Sequence, residues 1–261
     1  SSTMLQMVGV SNLASLARVA DVIAMGNKPD GRNINEACGS VHPEDMRARV
    51  IREKADLGIA FDGDGDRVVL SDEDGRVLDG NAILSILAID LLERDLLPDK
   101  KVVTTIMANG GLERAIQPHG GSIVRTQVGD RYVVEAMREG GYELGGESSG
   151  HIVMLEHNTT GDALITALHV IATMRRKEQT LGELAKVYEA LPEAHTKVPL
   201  NGKPRPEQTA LDAVREAAEK DLNGKGRIVI RPSGTEPIVR VMVQHEAMGA
   251  AKSLAEELAE K

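Results

Sequence analysis

The feature that most restricts the fold of this chain is a run of three aspartates, Asp62, Asp64 and Asp66, with one glycine between each pair. An apolar run, 57–61, precedes them, and a second apolar run, 68–70, follows. Apolar runs this short, bounded by turn residues, are typical of buried strands rather than helices. The sequence therefore predicts a tight loop between two buried strands, with three carboxylates on the loop.

The three carboxylates predict a metal site. Anions this close repel one another strongly, so the cluster is tolerable only if a cation neutralises it. No His or Cys stands among these hard oxygen ligands, which favours Mg²⁺, an ion that usually keeps positions open for a phosphate. Gly63 and Gly65 allow backbone angles that would turn the side chains toward one point. A polar hairpin turn without an ion is the alternative.

Composition limits the class of protein. A chain of 261 residues that is 41% hydrophobic is long enough for two or three domains. The net charge of −9 disfavours nucleic acid or an acidic membrane surface as a partner. A single cysteine, Cys38, excludes an intrachain disulfide and fits a reducing compartment. Because no stretch resembles a membrane span or a signal peptide, we expect a cytoplasmic protein.

The order of predicted elements indicates a mixed, largely parallel α/β sheet as far as residue 191. Residues 1–21 show the weakest secondary-structure pattern, which is moderately helical at 12–21. Strands are predicted at 22–25, 57–61, 68–70, 101–107, 122–128, 142–144 and 152–155. Helices are predicted from 42 to about 51 and at 81–97, 111–117, 132–139, 161–176 and 180–191.

The pattern of predicted helices and strands changes after a proline-rich run. Four prolines fall within 192–206 and place a domain boundary near 192–196. The remaining chain predicts a small α+β unit with an antiparallel sheet. Its predicted elements are a helix at 206–222, strands at 227–231 and 238–244, and a helix from 249.

A second motif, Arg231–Pro237, lies between the two predicted strands of this last unit, and Arg240 follows shortly. Its small residues let backbone N–H groups and two hydroxyls point into one concavity. The flanking arginines supply the bidentate charge that favours phosphate recognition. An ordinary hairpin turn is the alternative, because Ser-Gly is a common turn signal.

Two further segments are rich in polar groups. Gly145–His151 offers a carboxylate, two hydroxyls and an imidazole, a set that suits sugar hydroxyls, and His151 could move protons near neutral pH. Val128–Tyr132 comes at a strand end, where Asp130 is either the N-cap of the next helix or a functional residue. Thr159–Asp162 predicts a structural helix cap.

Together, four segments resemble the α-D-phosphohexomutase family: 61–67, 128–132, 146–151 and 231–237. Their order and spacing match the second, third and fourth domains of that four-domain family. The forms of 128–132 and 231–237, and the segment 33–40, are most similar to the bacterial members that act on glucosamine phosphate. The resemblance covers the chain from about residue 22 to its end.

The resemblance implies a role for each motif. The Mg²⁺ ligands would be Asp62, Asp64 and Asp66. Catalytic roles would fall to Arg67, as an active-site arginine, and to His151, as a general acid or base. Substrate would be bound by Glu147 and Ser149, which would contact sugar hydroxyls, and by Gly129, Asp130 and Arg131. The substrate phosphate would be held by Arg231, Ser233, Gly234, Thr235 and Arg240.

The implied fold consists of mixed-sheet α/β mutase-type domains followed by a small C-terminal α+β domain with an antiparallel sheet. The expected domains are 1–73 with the metal loop, 74–192 with the sugar loop, and 193–261 with the phosphate loop. The implied activity interconverts glucosamine 6-phosphate and glucosamine 1-phosphate through a bisphosphate intermediate. Phosphoglucomutase or phosphomannomutase activity within the same family is the alternative.

One part of the family pattern is missing from this sequence. The nucleophile of the family is a phosphorylated serine in a Thr-Ala-Ser-His-Asn-Pro-like loop of the first domain, and no such loop occurs here. We therefore expect the C-terminal portion of a mutase, whose missing partner is the N-terminal phosphoserine domain and which is inactive alone. A homodimer is compatible with the resemblance.

A haloacid-dehalogenase-type phosphatase is a rival interpretation. Asp62 would be its nucleophile and Asp64 its acid, and Asp130 with Glu135 imitates its later acidic motif. That interpretation leaves the sugar loop and the last domain unexplained.

A calcium-binding hand is the non-enzymatic rival, because Asp62, Asp64, Asp66 and Glu73 occupy its loop positions one, three, five and twelve. Arg67 stands where such a loop needs glycine, and the predicted flanking elements are strands instead of helices. We set this interpretation aside.

Overall fold

The computed structural model of the chain describes residues 2–6, 20–28 and 30–260. The helix predicted for 12–21 falls almost entirely outside these ranges. The chain divides into two compact units, the first formed by Ser1–Ala108 with Leu112–Glu189 and the second by Asn109–Gly111 with Ala190–Lys261. The finer division at residue 73 stays a prediction.

The first sheet of the first unit carries the aspartate loop. Its strands are β1 (Ser2–Gln6), β2 (Asp21–Met25), β3 (Leu57–Phe61), β4 (Val68–Ser71) and β5 (Val77–Leu78), in the order β2-β1-β3-β4-β5. The pairs of β1 with β2 and with β3 are parallel, and those of β4 with β3 and with β5 are antiparallel. The prediction of two buried strands around the aspartates is confirmed, because every residue of β3 and every residue of β4 except Val69 is buried.

Strand β1 is an element that the sequence did not predict. It pairs with β2 on one side and β3 on the other. A strand that is hydrogen-bonded on both sides can lie inside a sheet without the apolar–polar alternation that marks a half-exposed strand. For this reason a five-residue central strand leaves little trace in the sequence pattern.

Helix α1 (Glu44–Glu53) packs against β1, β3 and β4. Met46 and Val50 form its buried stripe. The contact is close, because a Cβ added to Gly58 would lie 2.4 Å from Met46 Sδ. Glycine in β3 thus sets the distance between helix and sheet.

The second sheet of the first unit carries the sugar loop. Its strands are β6 (Lys101–Thr105), β7 (Ser122–Thr126), β8 (Leu144–Gly146) and β9 (Ile152–Met154), in the order β7-β6-β8-β9. Strands β7, β6 and β8 are parallel, and β9 is antiparallel to β8. The helices around it are α2 (Gly80–Glu93), α3 (Gly110–Ile116), α4 (Asp130–Gly140) and α5 (Ala163–Lys177).

Helix α2 is the central helix of this unit. It is apolar on almost all sides and nearly every residue is buried, as expected of a helix enclosed by protein. It packs against α5 and against β4, β5 and β8. The start of α2 lies close to both sheets, because β5 ends just before the N-cap Asp79 and the Gly80 N–H donates to Ser148 O in the loop between β8 and β9.

The helix predicted at 180–191 is wrong beyond its first turn. The structure has α6 (Leu181–Leu184) and one 3-10 turn at Ala185–Val187. Leu191 instead exchanges hydrogen bonds with the side chain of Asn109, at 2.9 Å each way. A distant side chain that bonds both backbone groups of Leu191 cannot be foreseen from helical periodicity.

The second unit is a three-stranded antiparallel sheet with helices on one face. Its strands are β10 (Glu193–Pro199), β11 (Gly226–Pro232) and β12 (Ile238–His245), in the order β10-β12-β11. Helices α7 (Gln208–Asp221) and α8 (Met248–Glu260) pack on the sheet around Val241, Val243 and Ala251. The predicted fold class, mixed α/β followed by α+β, is confirmed.

Among the residues that the structure describes, no helix combines the length and apolar character that crossing a membrane requires.

Candidate functional site

The loop between β3 and β4 is organised by Asp62. Its carboxylate Oδ1 accepts hydrogen bonds from the backbone N–H groups of Gly65 and Arg67, both at 3.1 Å. Gly65 has φ +75°, a conformation that favours glycine. Gly63 has no such φ, and a Cβ there would lie 2.6 Å from the end of the exposed Ile34 side chain, which would have to shift. The predicted conformational role thus holds for one of the two glycines.

The three aspartate side chains converge. One carboxylate oxygen from each of Asp62, Asp64 and Asp66 lies within 4.8 Å of the others. Asp66 Oδ1 is buried and has no hydrogen-bond partner among the described residues. Within the described part of the chain, Arg67 is the arginine paired with this cluster, and its Nε lies 3.8 Å from Asp66 Oδ1 and from Asp62 Oδ2. Three carboxylates with one orphaned oxygen fit a hard divalent cation such as Mg²⁺.

The protonation of the cluster is unequal. Burial raises the pKa of Asp62 to about 6, and the neighbouring Asp66 carboxylate acts in the same direction. Burial also opposes the ionisation of Asp66, but the interactions of its carboxylate with Asp62, His151 and Arg67 outweigh burial and hold the pKa of Asp66 below its ordinary value. Asp62 therefore takes up a proton more readily, and a bound cation would compete with that proton.

His151 is fixed between the aspartate loop and Gly161. Its Nδ1 lies 3.0 Å from Asp66 Oδ2, and its Nε2 accepts a hydrogen bond from the Gly161 backbone N–H at 3.2 Å. Because a backbone N–H only donates, Nε2 carries no proton, so Nδ1 carries it and donates to Asp66. The imidazole is buried, with 3% of its surface exposed. This geometry suits a group that orients Asp66, and the general acid or base role stays a prediction.

The sugar loop is bonded to its surroundings through its backbone. Gly150 O accepts from Val68 N–H at 3.1 Å, and Ser148 O accepts from Gly80 N–H at 3.0 Å. The approach is so close that a Cβ on Gly150 would lie 2.1 Å from Val68 O. The loop that carries Glu147 and Ser149 is thereby held against the aspartate hairpin and the start of α2.

Glu147 also connects to the segment that begins α4. Its Oε1 accepts a hydrogen bond from the Gly129 backbone N–H at 3.2 Å. Gly129 is the N-cap of α4, with φ +132°, and Asp130 is the first helical residue. The interpretation of Asp130 as the N-cap is therefore wrong. Asp130 and Arg131 are exposed, as is Ser149.

Gly161 is a residue that the sequence analysis did not assign to the site. Its N–H fixes the tautomer of His151, and a Cβ there would lie 2.5–2.7 Å from three atoms of the imidazole. The only sequence signal is its place before Asp162, which caps α5 by accepting from Ile165 N–H at 2.9 Å. That structural cap, predicted for 159–162, is confirmed.

The phosphate motif of the second unit forms the turn between β11 and β12. Ser233 is buried, its N–H donates to Ile238 O at 2.9 Å, and its hydroxyl accepts from Glu236 N–H at 3.3 Å. Gly234 and Thr235 are exposed at the tip. A serine hydroxyl that accepts one bond can still donate its own proton to a ligand.

Arginines flank this turn. Arg231 and Arg240 are directly opposite one another in the register of β11 and β12, and Arg240 forms an ion pair with Glu236. Sequence reasoning missed Arg205, whose Nη2 donates to the Ser233 carbonyl at 2.5 Å. Its only signal is a basic residue between Pro204 and Pro206, in a segment that proline stiffens.

Two models of one enzyme family match the chain. Residues 79–191 match the phosphoglucomutase/phosphomannomutase alpha/beta/alpha domain III, and residues 173–261 match the C-terminal domain of the same family. Together the two matches take in both the sugar loop and the phosphate turn.

Curated relatives are similar over almost the whole chain. The phosphoglucosamine mutase of Anaeromyxobacter dehalogenans is 51% identical over 241 residues, which are 92% of this chain and 53% of that protein. The phosphoglucosamine mutase of Thermobifida fusca is 49% identical over 244 residues, 92% of this chain and 54% of that protein. The chain thus spans about half the length of the relatives it matches.

Solved structures share the fold. Aspergillus fumigatus N-acetylphosphoglucosamine mutase, solved with GlcNAc-6P and magnesium, is 23% identical with a TM-score of 0.71, over 100% of this chain and 65% of that one. A phosphoglucomutase/phosphomannomutase family protein from Burkholderia thailandensis is 20% identical with a TM-score of 0.76. The match covers 98% of this chain and 58% of that one.

These matches decide between the rival interpretations. The two family models match the segments with the sugar loop and the last domain, which the phosphatase interpretation leaves unexplained, and the strands β3 and β4 around the aspartates differ from the helices of a calcium-binding hand. The aspartate loop, the sugar loop and the phosphate turn instead occur in the order expected from the family resemblance. The chain belongs to the α-D-phosphohexomutase family, represented by the phosphoglucomutase/phosphomannomutase domains that it contains.

Proposed function

We propose that this chain is the metal- and phosphosugar-binding part of a phosphoglucosamine mutase. Such an enzyme interconverts glucosamine 6-phosphate and glucosamine 1-phosphate by phosphoryl transfer through a bisphosphate. The observation that carries the proposal is the convergence of Asp62, Asp64 and Asp66, with Asp66 oriented by His151. The identity of about half of all aligned residues to phosphoglucosamine mutases supports the choice of sugar.

The aspartate loop has the chemistry to serve phosphoryl transfer. Asp62, Asp64 and Asp66 would hold Mg²⁺, which when bound offsets the negative charge on a transferring phosphoryl group. Arg67, whose side chain is 48% exposed beside the cluster, adds a positive charge that can face the same group. His151 would keep Asp66 in its ligating orientation, because a hydrogen bond to a ligand carboxylate fixes its direction.

The remaining site residues would bind the sugar and its phosphate. Glu147 and Ser149, with the neighbouring Gly129, Asp130 and Arg131, supply acceptors and donors for sugar hydroxyls. The phosphate would lie at the turn of the second unit, which combines backbone N–H groups, hydroxyls and arginines. Its proposed ligands are Arg231, Ser233, Gly234, Thr235 and Arg240.

The proposed reaction also needs a phosphoryl donor. Transfer between C6 and C1 requires an enzyme-held phosphate that is given to one hydroxyl and recovered from the other. We propose that an N-terminal phosphoserine domain, which the family resemblance implies, is the partner that supplies it. A cytoplasmic location and a homodimer are further expectations of the same resemblance.

Phosphosugar binding gives the test of this function. In Mg²⁺ buffer, calorimetric titration is expected to detect glucosamine 6-phosphate binding and no comparable binding of glucosamine. Arg231→Ala should weaken phosphosugar binding by about 1.5–3 kcal/mol, the cost of a lost charge-assisted hydrogen bond. Arg231→Lys keeps the charge but not the bidentate geometry, so its affinity for the phosphosugar should lie between those of the unaltered chain and of Arg231→Ala.

Competing sugars extend the same titration. Glucose 6-phosphate and mannose 6-phosphate are the substrates of the alternative activities of the family, and we expect both to bind more weakly than glucosamine 6-phosphate. Equal affinity for phosphorylated and unphosphorylated glucosamine would remove the phosphate turn from the proposal.

A further inference from the structure

Three cations stand in a row across the sheet of the second unit. Lys197 on β10 is the register partner of Arg240 on β12, and Arg240 is the register partner of Arg231 on β11. Residues directly opposite one another in an antiparallel pair project from the same face, with Cβ atoms about 4.5–5.5 Å apart. The row therefore brings one ammonium and two guanidinium groups together beside the phosphate turn.

This row lies on the sheet face that faces away from the helices. The alternate residues Val198, Val239 and Val241 belong to the core beneath α7 and α8. Because side chains alternate between faces along a strand, Lys197 and Arg240 project to the opposite side. Lys197 is exposed, and Arg231 and Arg240 are half-buried, so a ligand can reach all three.

The charge of the row is not balanced by the protein. Glu236 forms an ion pair with Arg240, whereas no hydrogen bond or ion pair is recorded for the side chains of Lys197 and Arg231 within the described residues. Three cations against one carboxylate leave two positive charges. Like charges directly opposite in a sheet are destabilising, so the row lowers stability unless an anion joins it.

Glu193 on β10 is the next carboxylate on this face, and it is hydrogen-bonded to side chains outside the row. Glu193 Oε1 accepts hydrogen bonds from Asn109 and Gln244, both at 2.8 Å, and its Oε2 lies 3.3 Å from His195 Nε2. Glu193 therefore forms no ion pair with the three cations of the row among the described contacts. A phosphate monoester dianion carries the two negative charges that the row lacks.

We propose that Lys197 is a third phosphate-contacting cation, so that the phosphate subsite extends across all three strands and selects a dianionic phosphate monoester over a monoanionic ester. The proposal rests on the function proposed above and adds to it a residue outside the Arg231–Pro237 motif. Lys197 suits this role because its flexible stem carries a compact charge from β10 toward the ligand held at β11 and β12.

The test compares two lysine variants with two ligands. Lys197→Gln and Lys220→Gln each remove one positive charge from the second unit, the latter on α7. Each variant and the unaltered chain are titrated calorimetrically with glucosamine 6-phosphate and with glucosamine 6-sulfate, which carries the same sugar and a monoanionic ester. Thermal unfolding of the ligand-free proteins is recorded beside the titrations.

Lys197→Gln is expected to weaken glucosamine 6-phosphate binding by about tenfold, the effect of one lost charged contact. The loss of affinity for glucosamine 6-sulfate should be clearly smaller, so the ratio of the two affinities, phosphate over sulfate, should fall in this variant. Lys220→Gln should bind both ligands as the unaltered chain does. The ligand-free Lys197→Gln protein should unfold at the same or a higher temperature, since the variant removes a repulsion and no recorded contact.

Two results would overturn the role of Lys197 while leaving the proposed function intact. One is unchanged phosphate binding in Lys197→Gln when Arg231→Ala binds weakly. The other is an equal loss in Lys197→Gln and Lys220→Gln, which would indicate a general charge effect. If the unaltered chain binds no phosphosugar at all, the proposed function and the role of Lys197 both fail.

Discussion

Replacing Asp64 with Asn is expected to abolish the stabilisation that Mg²⁺ gives to this chain. Asp64 is exposed, whereas the carboxylates of Asp62 and Asp66 carry hydrogen bonds that hold the loop and His151. Asp64→Asn therefore removes one ligand charge with the least disturbance of the fold. The metal-free variant should be at least as stable as the unaltered chain, because it relieves repulsion among three carboxylates.

The size of the effect follows from mass action. A cation present at about 100 times its dissociation constant stabilises the folded state by about 2.7 kcal/mol. Thermal unfolding in increasing Mg²⁺ should show this stabilisation in the unaltered chain and none of it in Asp64→Asn over the same range. Asp74→Asn is the matched control, since Asp74 is exposed on a neighbouring turn outside the cluster. An equal response to Mg²⁺ in Asp64→Asn and Asp74→Asn would count against the metal site.

Gly80→Ala is expected to destabilise the first unit and to displace the sugar loop. A Cβ at position 80 would lie 2.0 Å from Glu147 O and 2.7 Å from Gly150 N. Both atoms belong to the backbone of a loop that is itself hydrogen-bonded, so no flexible side chain can move aside. The loop must shift or the start of α2 must deform.

Two opposing terms decide the sign of this change. Alanine gains roughly 0.5–1 kcal/mol over glycine within a helix. Overpacking of a well-packed site costs about 1–3 kcal/mol and occasionally more, and the hydrogen bond from Gly80 N–H to Ser148 O is lost with it. The clash outweighs the helix propensity, so the free energy of unfolding should fall.

Hydrogen exchange distinguishes a local shift of the sugar loop from a general loss of stability. The Val68 amide, which donates to Gly150 O, should exchange faster in Gly80→Ala than in the unaltered chain. Gly249→Ala serves as the control, because a Cβ there meets nothing within 4 Å among the described residues. Unchanged exchange at Val68, with unchanged thermal unfolding, would contradict the close packing of Gly80 against the loop.

The elements with strong local patterns were predictable from the sequence. The strands around the aspartates were predicted from two short apolar runs. The antiparallel unit was predicted from the changed order of helices and strands after residue 192. The convergence of the aspartates was predictable for the same reason, since all three lie within five residues on one hairpin. The ligand groups and the turn that brings them together belong to the same short segment.

Contacts between distant parts of the chain were not predictable from the pattern. His151 reaches Asp66 across 85 residues, and Arg205 reaches Ser233 across 28. Neither contact alters the periodicity of its own segment. The predicted proton-transfer role of His151 considered its side chain alone, whereas the structure engages both ring nitrogens.

A crystal structure of the chain grown with Mn²⁺ tests most directly whether the aspartate loop is a metal site. Mn²⁺ favours the same oxygen ligands as Mg²⁺ and can be located by its anomalous scattering. The predicted result is a single peak in the aspartate loop, bound by one oxygen each of Asp62, Asp64 and Asp66, with His151 still bonded to Asp66. No peak at this loop in a crystal saturated with Mn²⁺, or a peak bound only at unrelated surface carboxylates, would contradict it.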